Sequence, residues 1–405
     1  AYTELGWGGY WAWDPVENSS LIPWLTLTAF LHSAVVAERR HYLRGWSFLF
    51  LTLSFLSCLF AAFLTRSGII RSVHAFAESS LGLYFVALIA LWAAIAGAVA
   101  FRRRESLSGG EAESSLLSKD TAFHLLNWFF FWEAVVLLLG IVFPVLSLLF
   151  LGREASVGAP FYQQAFMPLA ALTVLLMGAC AGLGWRTTAP GPWLRYLIPP
   201  AAGFLLGLLI SLTLGERRAF PILSWGVVGF AGIGAIRELA KGLRESIGRR
   251  RFIPRPYGGY LAHMGIILLA LGIAGSSFYK AEALVSLRPG ETVEVGRYSL
   301  RYVGFQHWSL PAKERFRAEL ELYRGGRPVG KICTERNFHY NVKQWVSEIG
   351  LRSTPAEDLY VSMVALEQDG TASFKVEVNP LVFWIWAGGG LLVLGGVLSL
   401  CPGRG

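Results

Sequence analysis

The stretch from Trp7 to Trp24, which reads WGGYWAWDPVENSSLIPW, contains the residues of this chain best suited to binding a flat aromatic molecule. Tryptophan and tyrosine rings stack on extended π-systems, and neighbouring glycines let a ligand approach the backbone closely. We therefore expect a platform, sized for a molecule such as a porphyrin, formed by Trp7, Gly8, Gly9, Tyr10, Trp11, Trp13, Asp14 and Trp24.

The same stretch has the features of an ordinary helix start in a membrane protein. Asp14 is suited to capping the free amides, Pro15 to the first helical position, and Glu17 to closing a capping box. Tryptophan and tyrosine also collect at membrane interfaces without binding a ligand. These aromatic residues are more numerous than an interface requires, and physical reasoning alone leaves both interpretations open.

Two histidines lie inside apolar runs that are long enough to cross a membrane. His32 lies seven residues before Arg39, and His263 lies eight residues after Arg255. At about 1.5 Å per residue, both are expected about 10–12 Å from the same basic rim. Two imidazoles at one depth can bind a haem iron from both faces, and ionisable residues inside a membrane mark functional sites. The alternative is that they are unrelated packing histidines.

A third histidine, His74, lies in the loop TRSGIIRSVHAFAES together with Arg66 and Arg71. A haem on the platform would need an axial donor and cations for its propionates, and this loop contains both. The alternative is that His74 is a polar loop residue. Solvated or packing positions are expected for His41 and His124. His307 and His339 belong to the predicted β domain, and a second axial ligand from there is an open alternative.

The composition indicates a membrane protein with many spans. Of 405 residues, 54% are apolar and 16% are charged, and the mean hydropathy is +0.48. In soluble domains about a quarter of the residues are charged. A helix of about 20 apolar residues is long enough to span a bilayer. We predict an all-α polytopic bundle of nine spans, at residues 15–37, 46–64, 81–101, 123–151, 164–185, 196–214, 220–236, 258–277 and 381–401.

Basic residues are distributed unevenly between the two alternating sets of loops. One set carries the clusters 39–44, 102–104 and 237–255, whereas the other set of short loops carries Arg66, Arg71, Arg153, Arg217 and Arg218. Because basic loops stay in the cytoplasm, the tryptophan segment is expected outside and the C-terminus inside. The formal charge of +9 therefore reflects topology and contact with membrane lipid, and no nucleic-acid partner is expected. The stretch 237–255 is predicted to form a basic surface helix that Pro254 ends.

A polar insertion, residues 278–380, separates the last two spans, and it is predicted to form a small antiparallel β domain on the outer membrane face. Its strands alternate around turn signals at Gly325-Gly326 and Asp369-Gly370. The predicted organisation is an outer binding segment 1–20, an eight-span bundle 15–277, the β domain 278–380 and a last span with a cytoplasmic tail, 381–405.

The four cysteines form no CxxC or CxxCH motif. A zinc motif, a disulfide framework and a covalent haem attachment site within this chain are therefore not expected.

The tryptophan segment resembles the WWD signature of haem-handling membrane proteins, whose core reads WGxxWxWDPxEN. Tyr10 stands where another tryptophan is usual, and Ala12 stands where an aromatic residue is often found. The matching positions are Trp7, Gly8, Trp11, Trp13, Asp14, Pro15, Glu17 and Asn18. In that family the signature implies haem binding on the outer side of the membrane for attachment to cytochrome c.

Three groups of proteins carry this signature. One loads haem onto a chaperone and has few spans after the signature, and one belongs to a two-component synthase that carries it late in the chain. The CcmF family has many following spans and a soluble domain before the last one, and this chain resembles it over nearly its whole length.

The resemblance implies a cytochrome c haem lyase of the bacterial cytoplasmic (inner) membrane. Such a protein takes haem as substrate from the chaperone CcmE and joins it to the CxxCH thiols of apocytochrome c, together with CcmH-type thiol proteins. It also implies a b haem inside the membrane. Our hypothesis is that this haem keeps the substrate iron ferrous, with quinol as the electron source.

Residue by residue, the resemblance matches His32 and His263 to the axial pair of the b haem, and His74 to the outer histidine that follows the signature. The family has a further outer histidine on helices upstream of the signature, so we expect this chain to be part of a longer protein. Other classes remain open: a haem transporter or exporter, a loader of haem onto a chaperone, or a plain membrane cytochrome.

Overall fold

The structure is a computed structural model that describes residues 2, 9–69, 81–108, 115–249 and 254–400. Nine long helices in these ranges are apolar enough to cross a membrane, which confirms the predicted number of spans and the fold class. With one short helix after the third span, the helices are α1 Pro15–Arg40, α2 Arg44–Ser67, α3 Leu81–Arg102, α4 Arg104–Leu107, α5 Lys119–Leu151, α6 Ala159–Cys180, α7 Pro190–Thr213, α8 Ala219–Arg249, α9 Pro254–Phe278 and α10 Val382–Leu400.

The basic stretch predicted as a helix over residues 237–255 is helical up to Arg249, but the prediction that Pro254 ends this helix was wrong. Residues up to Arg249 continue α8, which is 31 residues long, and Pro254 begins α9 instead of ending a helix. Proline lacks an amide hydrogen and has a fixed φ, so it suits the first turn of a helix as well as the position after one. Pro254 does mark a helix boundary, but this boundary is the start of α9 and not the end of the helix before it.

The chain divides into two compact units. The first comprises residues 11–205 and 229–234, and the second comprises residues 1–10, 206–228 and 235–405. The core of the first unit is formed by four helices, α1, α2, α5 and α6, through the buried residues Ile22, Leu25, Ala29, Phe50, Leu64, Phe130, Ala134, Leu137, Ile141, Tyr162 and Phe166.

Helix α1 begins with the predicted capping box. The Asp14 carboxylate accepts from the Val16 amide at 3.5 Å, and the Glu17 carboxylate accepts from the Ala12 and Asp14 amides at 2.8 and 3.4 Å. Pro15 occupies the first turn. These bonds satisfy amides that the start of a helix leaves unpaired, so the helix-start interpretation of Asp14 and Glu17 is confirmed.

Helices α9 and α10, both in the second unit, approach each other through glycines. Gly258, Gly265 and Gly272 recur every seven residues on α9, and a Cβ at Gly265 would lie 2.6 Å from the Gly388 carbonyl oxygen. On α10, a Cβ at Gly395 would lie 2.5 Å from the Ala262 amide nitrogen. Small residues of this kind allow two membrane helices to pack backbone against backbone.

Replacing Gly265 by alanine is expected to destabilise the protein by about 1–3 kcal/mol, because the new methyl group would overlap backbone atoms that cannot move aside. Gly259→Ala, on the same helix, is the matched control, since a Cβ there meets no atom within 4 Å. Denaturant unfolding in detergent measures both. Equal stability of the two variants would contradict the close packing of α9 on α10.

The insertion between α9 and α10 is an antiparallel β sandwich, in agreement with the predicted β domain. One sheet has the strand order β1-β9-β8-β7 and the other β2-β3-β4-β5-β6. The strands are β1 Ala281–Leu287, β2 Thr292–Val295, β3 Tyr298–Ser309, β4 Lys313–Arg324, β5 Arg327–His339, β6 Gln344–Glu348, β7 Gly350–Ser353, β8 Glu357–Leu366 and β9 Ala372–Pro380.

The two predicted turns lie where expected. Gly325 and Gly326 have φ of 55° and 76° and join β4 to β5 as a two-residue hairpin, and Gly370, with φ of 87°, lies between β8 and β9. The structure adds β1, β6 and β7, which the sequence patterns did not single out. Side chains of both sheets fill the core, and Tyr302 packs edge-on against Phe374 at 5.1 Å.

The sandwich is anchored to the start of α10. Val382 is fully buried with Tyr360, and the Trp384 indole donates to the Pro355 carbonyl at 2.9 Å. Tyr2 also packs here, and its hydroxyl donates to the Asp358 carboxylate at 2.9 Å. Asp358 is 1% exposed, and its burial raises the pKa of the carboxyl. A protonated or hydrogen-bonded Asp358 therefore suits this interface.

Candidate functional site

Trp13 is held in place at the start of α1. Its ring stacks face to face on Tyr162 of α6, with the centroids 4.9 Å apart and the planes 6° apart. The Trp13 backbone carbonyl accepts a hydrogen bond from the Asn18 side-chain amide at 3.0 Å. The φ of Trp13 is 59°, a left-handed conformation that is unusual for a bulky residue. Surrounding contacts must compensate for such strain, which typically occurs at functional sites.

Trp11 lies beside Trp13 in an edge-to-face arrangement, at 6.2 Å and 86°. It is half-buried, whereas one face of Trp13 is covered by Tyr162. Within the first unit, Trp11 is therefore the ring better placed to contact a ligand, and Trp13 is the ring that supports it. Trp24 is 41% exposed and lies ten residues beyond Asp14, about 15 Å further along the helix.

The platform residues fall in both units. Gly9, with φ of 117°, and Tyr10 belong to the second unit, where the Tyr10 hydroxyl lies 2.7 Å from the Ser276 hydroxyl of α9. The Tyr10 ring also packs edge-on against Tyr2 at 6.3 Å. Tyr10 therefore packs against the cluster that Tyr2 forms with Tyr360 and Val382. Trp7 and Gly8 lie outside the described residues.

His32 lies in α1 with its side chain oriented by the helix itself. Its Nδ1 is 2.8 Å from the Thr28 carbonyl oxygen, which can only accept, so Nδ1 carries the hydrogen and Nε2 carries the lone pair. The ring lies near Phe123 and Phe130 of α5, at 5.7 and 6.4 Å. Metal-binding histidines are commonly oriented in this way, by a hydrogen bond from the other ring nitrogen to a carbonyl.

His263 lies on the face of α9 that is turned away from α10. At 100° per residue it is about 200° around the helix from Gly265, which contacts α10. Its side chain is half-buried. The glycine contact thus fixes α9 on one side and directs the histidine to the other. His32 belongs to the first unit and His263 to the second.

His74, the predicted axial ligand of the outer haem, lies outside the described residues. So does Arg71, one of the two arginines predicted to bind the haem propionates. Arg66 is described, and it is an exposed residue in the last turn of α2. The expectation that it binds a propionate stays a prediction.

The other histidines have structural surroundings. His41 caps the C-terminus of α1 with φ of 58°, and His124 accepts from the Trp128 indole at 3.2 Å. His307 is 2.6 Å from the Glu314 carboxylate and stacks on Phe316, and His339 ends β5. In the described part of the chain no three histidine, cysteine, aspartate or glutamate side chains form a metal-binding group.

Sequence reasoning missed two features of the first unit. Tyr162, the stacking partner of Trp13, lies 149 residues away in the chain, and no local pattern links the two. Glu133, in the middle of α5, is 1% exposed and accepts from the Thr173 hydroxyl at 2.6 Å. A single acid within an apolar run was the available signal for Glu133.

Two family models match parts of the chain. Residues 1–70, which include the tryptophan segment, α1 and α2, match the family described as cytochrome C assembly protein. Residues 278–380, which include the whole sandwich, match the family described as CcmF C-terminal beta-sandwich.

Relatives that match this chain over all or nearly all of its length are named as cytochrome c-type biogenesis proteins. The cytochrome c-type biogenesis protein CcmF of Pseudomonas aeruginosa is 33% identical, with 100% of this chain and 62% of the relative covered. CcmF of Escherichia coli is 31% identical with the same coverage. NrfE of Haemophilus influenzae is 31% identical over 99% of this chain and 63% of the relative. The chain spans about three fifths of the length of these relatives.

A solved structure named cytochrome c heme lyase CcmF has the same fold. It covers 99% of this chain and 62% of its own, with a TM-score of 0.80 and 29% sequence identity. Because the whole-chain relatives, the two family models and this structure agree, the chain belongs to the CcmF family of cytochrome c-type biogenesis proteins.

Proposed function

We propose that this chain is the haem-binding and catalytic part of a cytochrome c haem lyase in the bacterial inner membrane. It receives haem from the CcmE chaperone on the outer side and promotes its attachment to the CxxCH thiols of apocytochrome c, with a CcmH-type protein as thiol partner. The observation that carries this proposal is the fixed tryptophan pair at the start of α1, where a strained Trp13 stacked on Tyr162 supports Trp11.

The tryptophan pair is suited to holding a flat substrate in one orientation. The capping box and the Asn18 contact fix the backbone on both sides of Trp13, so little ordering remains when a ligand binds. Preorganised aromatic surfaces bind with less loss of entropy. In this proposal Trp11 contacts the porphyrin face, His74 supplies an axial ligand, and Arg66 and Arg71 bind the propionates.

His32 and His263 are proposed as the axial ligands of a b haem within the membrane. The surroundings of His32 fit such a group, because its Nε2 carries the lone pair and aromatic rings of α5 lie beside it. His263 is directed away from α10 by the glycine contact. When bound there, a haem would supply one-electron transfer from quinol, which keeps the substrate iron ferrous.

The protein contributes orientation to the attachment reaction. Each cysteine thiol adds across one vinyl group, so that a C–S bond forms at one vinyl carbon and the hydrogen passes to the other. The platform must leave the vinyl edge open to the incoming thiols, and Trp11, supported by Trp13, contacts the porphyrin from one face. Asp14 and Glu17 are engaged in the capping box and take no part as acid or base.

The test uses sealed vesicles that contain the purified full-length protein, with haem-loaded CcmE, a thiol reductant and a CxxCH peptide of apocytochrome c on the WWD side. Mass spectrometry is expected to show peptide heavier by one haem. Haem that crosses the bilayer while the peptide stays unmodified would support the transporter instead. Transfer of free haem onto empty CcmE, without attachment, would support the chaperone loader.

A further inference from the structure

Glu133 is a buried acid in a membrane span that the proposed attachment mechanism does not use. It lies in the interior of α5 and is 1% exposed, and its neighbours along the helix, Phe130, Ala134 and Leu137, belong to the apolar core. A carboxylate in such a place is costly unless a charge or a proton compensates it, and acids inside membranes usually have a function.

The group that contacts its carboxyl among the described side chains is the Thr173 hydroxyl of α6, which donates to Oε1 at 2.6 Å. A hydroxyl can hydrogen-bond to both the acid and the carboxylate, and it brings no charge. Helices α1, α2 and α6 pack with α5 in one core. Their described titratable and charged side chains are Asp14, Glu17, His32, Glu38, Arg40, Arg44, Cys58, Arg66, Tyr162 and Cys180, and α5 itself adds Lys119, Asp120 and His124.

Among these groups, His32 is connected to Glu133 by a short path. The His32 ring lies 6.4 Å from the Phe130 ring, and Glu133 follows Phe130 by three residues, about 4.5 Å along the helix axis. A redox centre at His32 would therefore lie roughly 11 Å from this acid along that path, which is about two helical turns. At that separation and in an apolar interior, charges interact strongly.

We propose that Glu133 is a proton-binding site inside the membrane, which takes up one proton when the haem proposed at His32 gains one electron and releases it when that electron leaves. The inference rests on the proposed function. With two neutral imidazoles, a ferric haem core carries one positive charge and a ferrous core carries none. The negative charge of ionised Glu133 balances the positive charge of the ferric core, whereas protonated Glu133 is neutral and matches the neutral ferrous core.

The step conserves atoms and charge. If a haem is held at His32, a quinol would give it one electron and become a semiquinone with release of a proton to water, and one proton from water would bind the Glu133 carboxylate. The interior stays neutral in both states, so that no unpaired charge is buried. Electron delivery to the outer substrate then returns the proton to water.

The experiment measures the haem midpoint potential against pH in purified, haem-loaded full-length protein. In the wild type the potential is expected to fall by about 59 mV for each tenfold drop in proton concentration over part of the pH range. Glu133→Gln is expected to keep the low-spin spectrum and to show a flat profile. Asp358→Asn, which alters a buried acid of the β sandwich outside the membrane spans, is the control and is expected to keep the wild-type slope.

A second readout is the redox difference infrared spectrum, in which the wild type is expected to gain a protonated-carboxyl band on reduction. Thr173→Val retains the acid and is expected to keep the slope in a shifted pH range, which provides a test if Glu133→Gln does not fold. A low-spin haem with a flat wild-type profile, or an unchanged slope in Glu133→Gln, would overturn this inference alone. A wild type without any such haem would overturn the b-haem assignment as well.

Discussion

Purified protein in which His32 is replaced by alanine is expected to lose the low-spin, six-coordinate b-type absorption spectrum that the proposed b haem would give the wild type. The substitution removes a ligand whose Nε2 lone pair is oriented by the Nδ1 contact to Thr28. Without it the iron would be five-coordinate or the haem would be absent, since a protein group no longer fills that axial position. His263→Ala is expected to have the same effect for the same reason.

The control for this prediction is His41→Asn. His41 ends α1 in a left-handed conformation that asparagine also adopts readily, so the helix and its fold should be retained. The spectrum should stay unchanged in this variant. A six-coordinate spectrum that persists in both His32→Ala and His263→Ala would remove the b-haem assignment.

Replacing Trp11 by alanine is expected to reduce covalent haem attachment to apocytochrome c by at least about tenfold, which corresponds to roughly 1.4 kcal/mol of lost substrate binding. Trp11 provides the half-buried ring beside Trp13, and an indole stacked on a porphyrin buries a large apolar area. The measurement is the yield of haem-linked apocytochrome in membranes, with the protein level determined in parallel.

Trp13 provides the comparison. Trp13→Phe retains a ring to stack on Tyr162, so it is expected to keep both the fold and most of the attachment. Trp13→Ala is expected to lose that stack and to destabilise the first unit by about 3 kcal/mol. The b-type spectrum should persist in Trp11→Ala, because His32 lies 21 residues further along the chain. Full attachment in Trp11→Ala would argue against the platform.

Local sequence patterns were sufficient for much of the fold. The nine spans follow from runs of apolar residues, and the capping box at Asp14 and the hairpin at Gly325-Gly326 follow from residue types with one strong conformational preference. Pro254 was placed correctly as a boundary, yet proline suits both a helix start and the position after a helix, so its direction was open.

The candidate site depended on contacts that no local pattern contains. The stacking of Trp13 on Tyr162 and the bond from Thr173 to Glu133 join different helices, and they appear only when the helices are packed. The short strand β7 has four residues, too few for alternation to be recognised. His32 was located as a candidate from its apolar surroundings, whereas its ring orientation follows from the Thr28 carbonyl one turn earlier.

The most direct test of the account is an experimental density map of the full-length, haem-loaded protein at a resolution that shows side chains. Density is expected for one porphyrin inside the membrane, with its iron bonded to Nε2 of His32 on one side and to Nε2 of His263 on the other. A map in which the two imidazoles point in different directions, with apolar side chains or lipid between them, would contradict it.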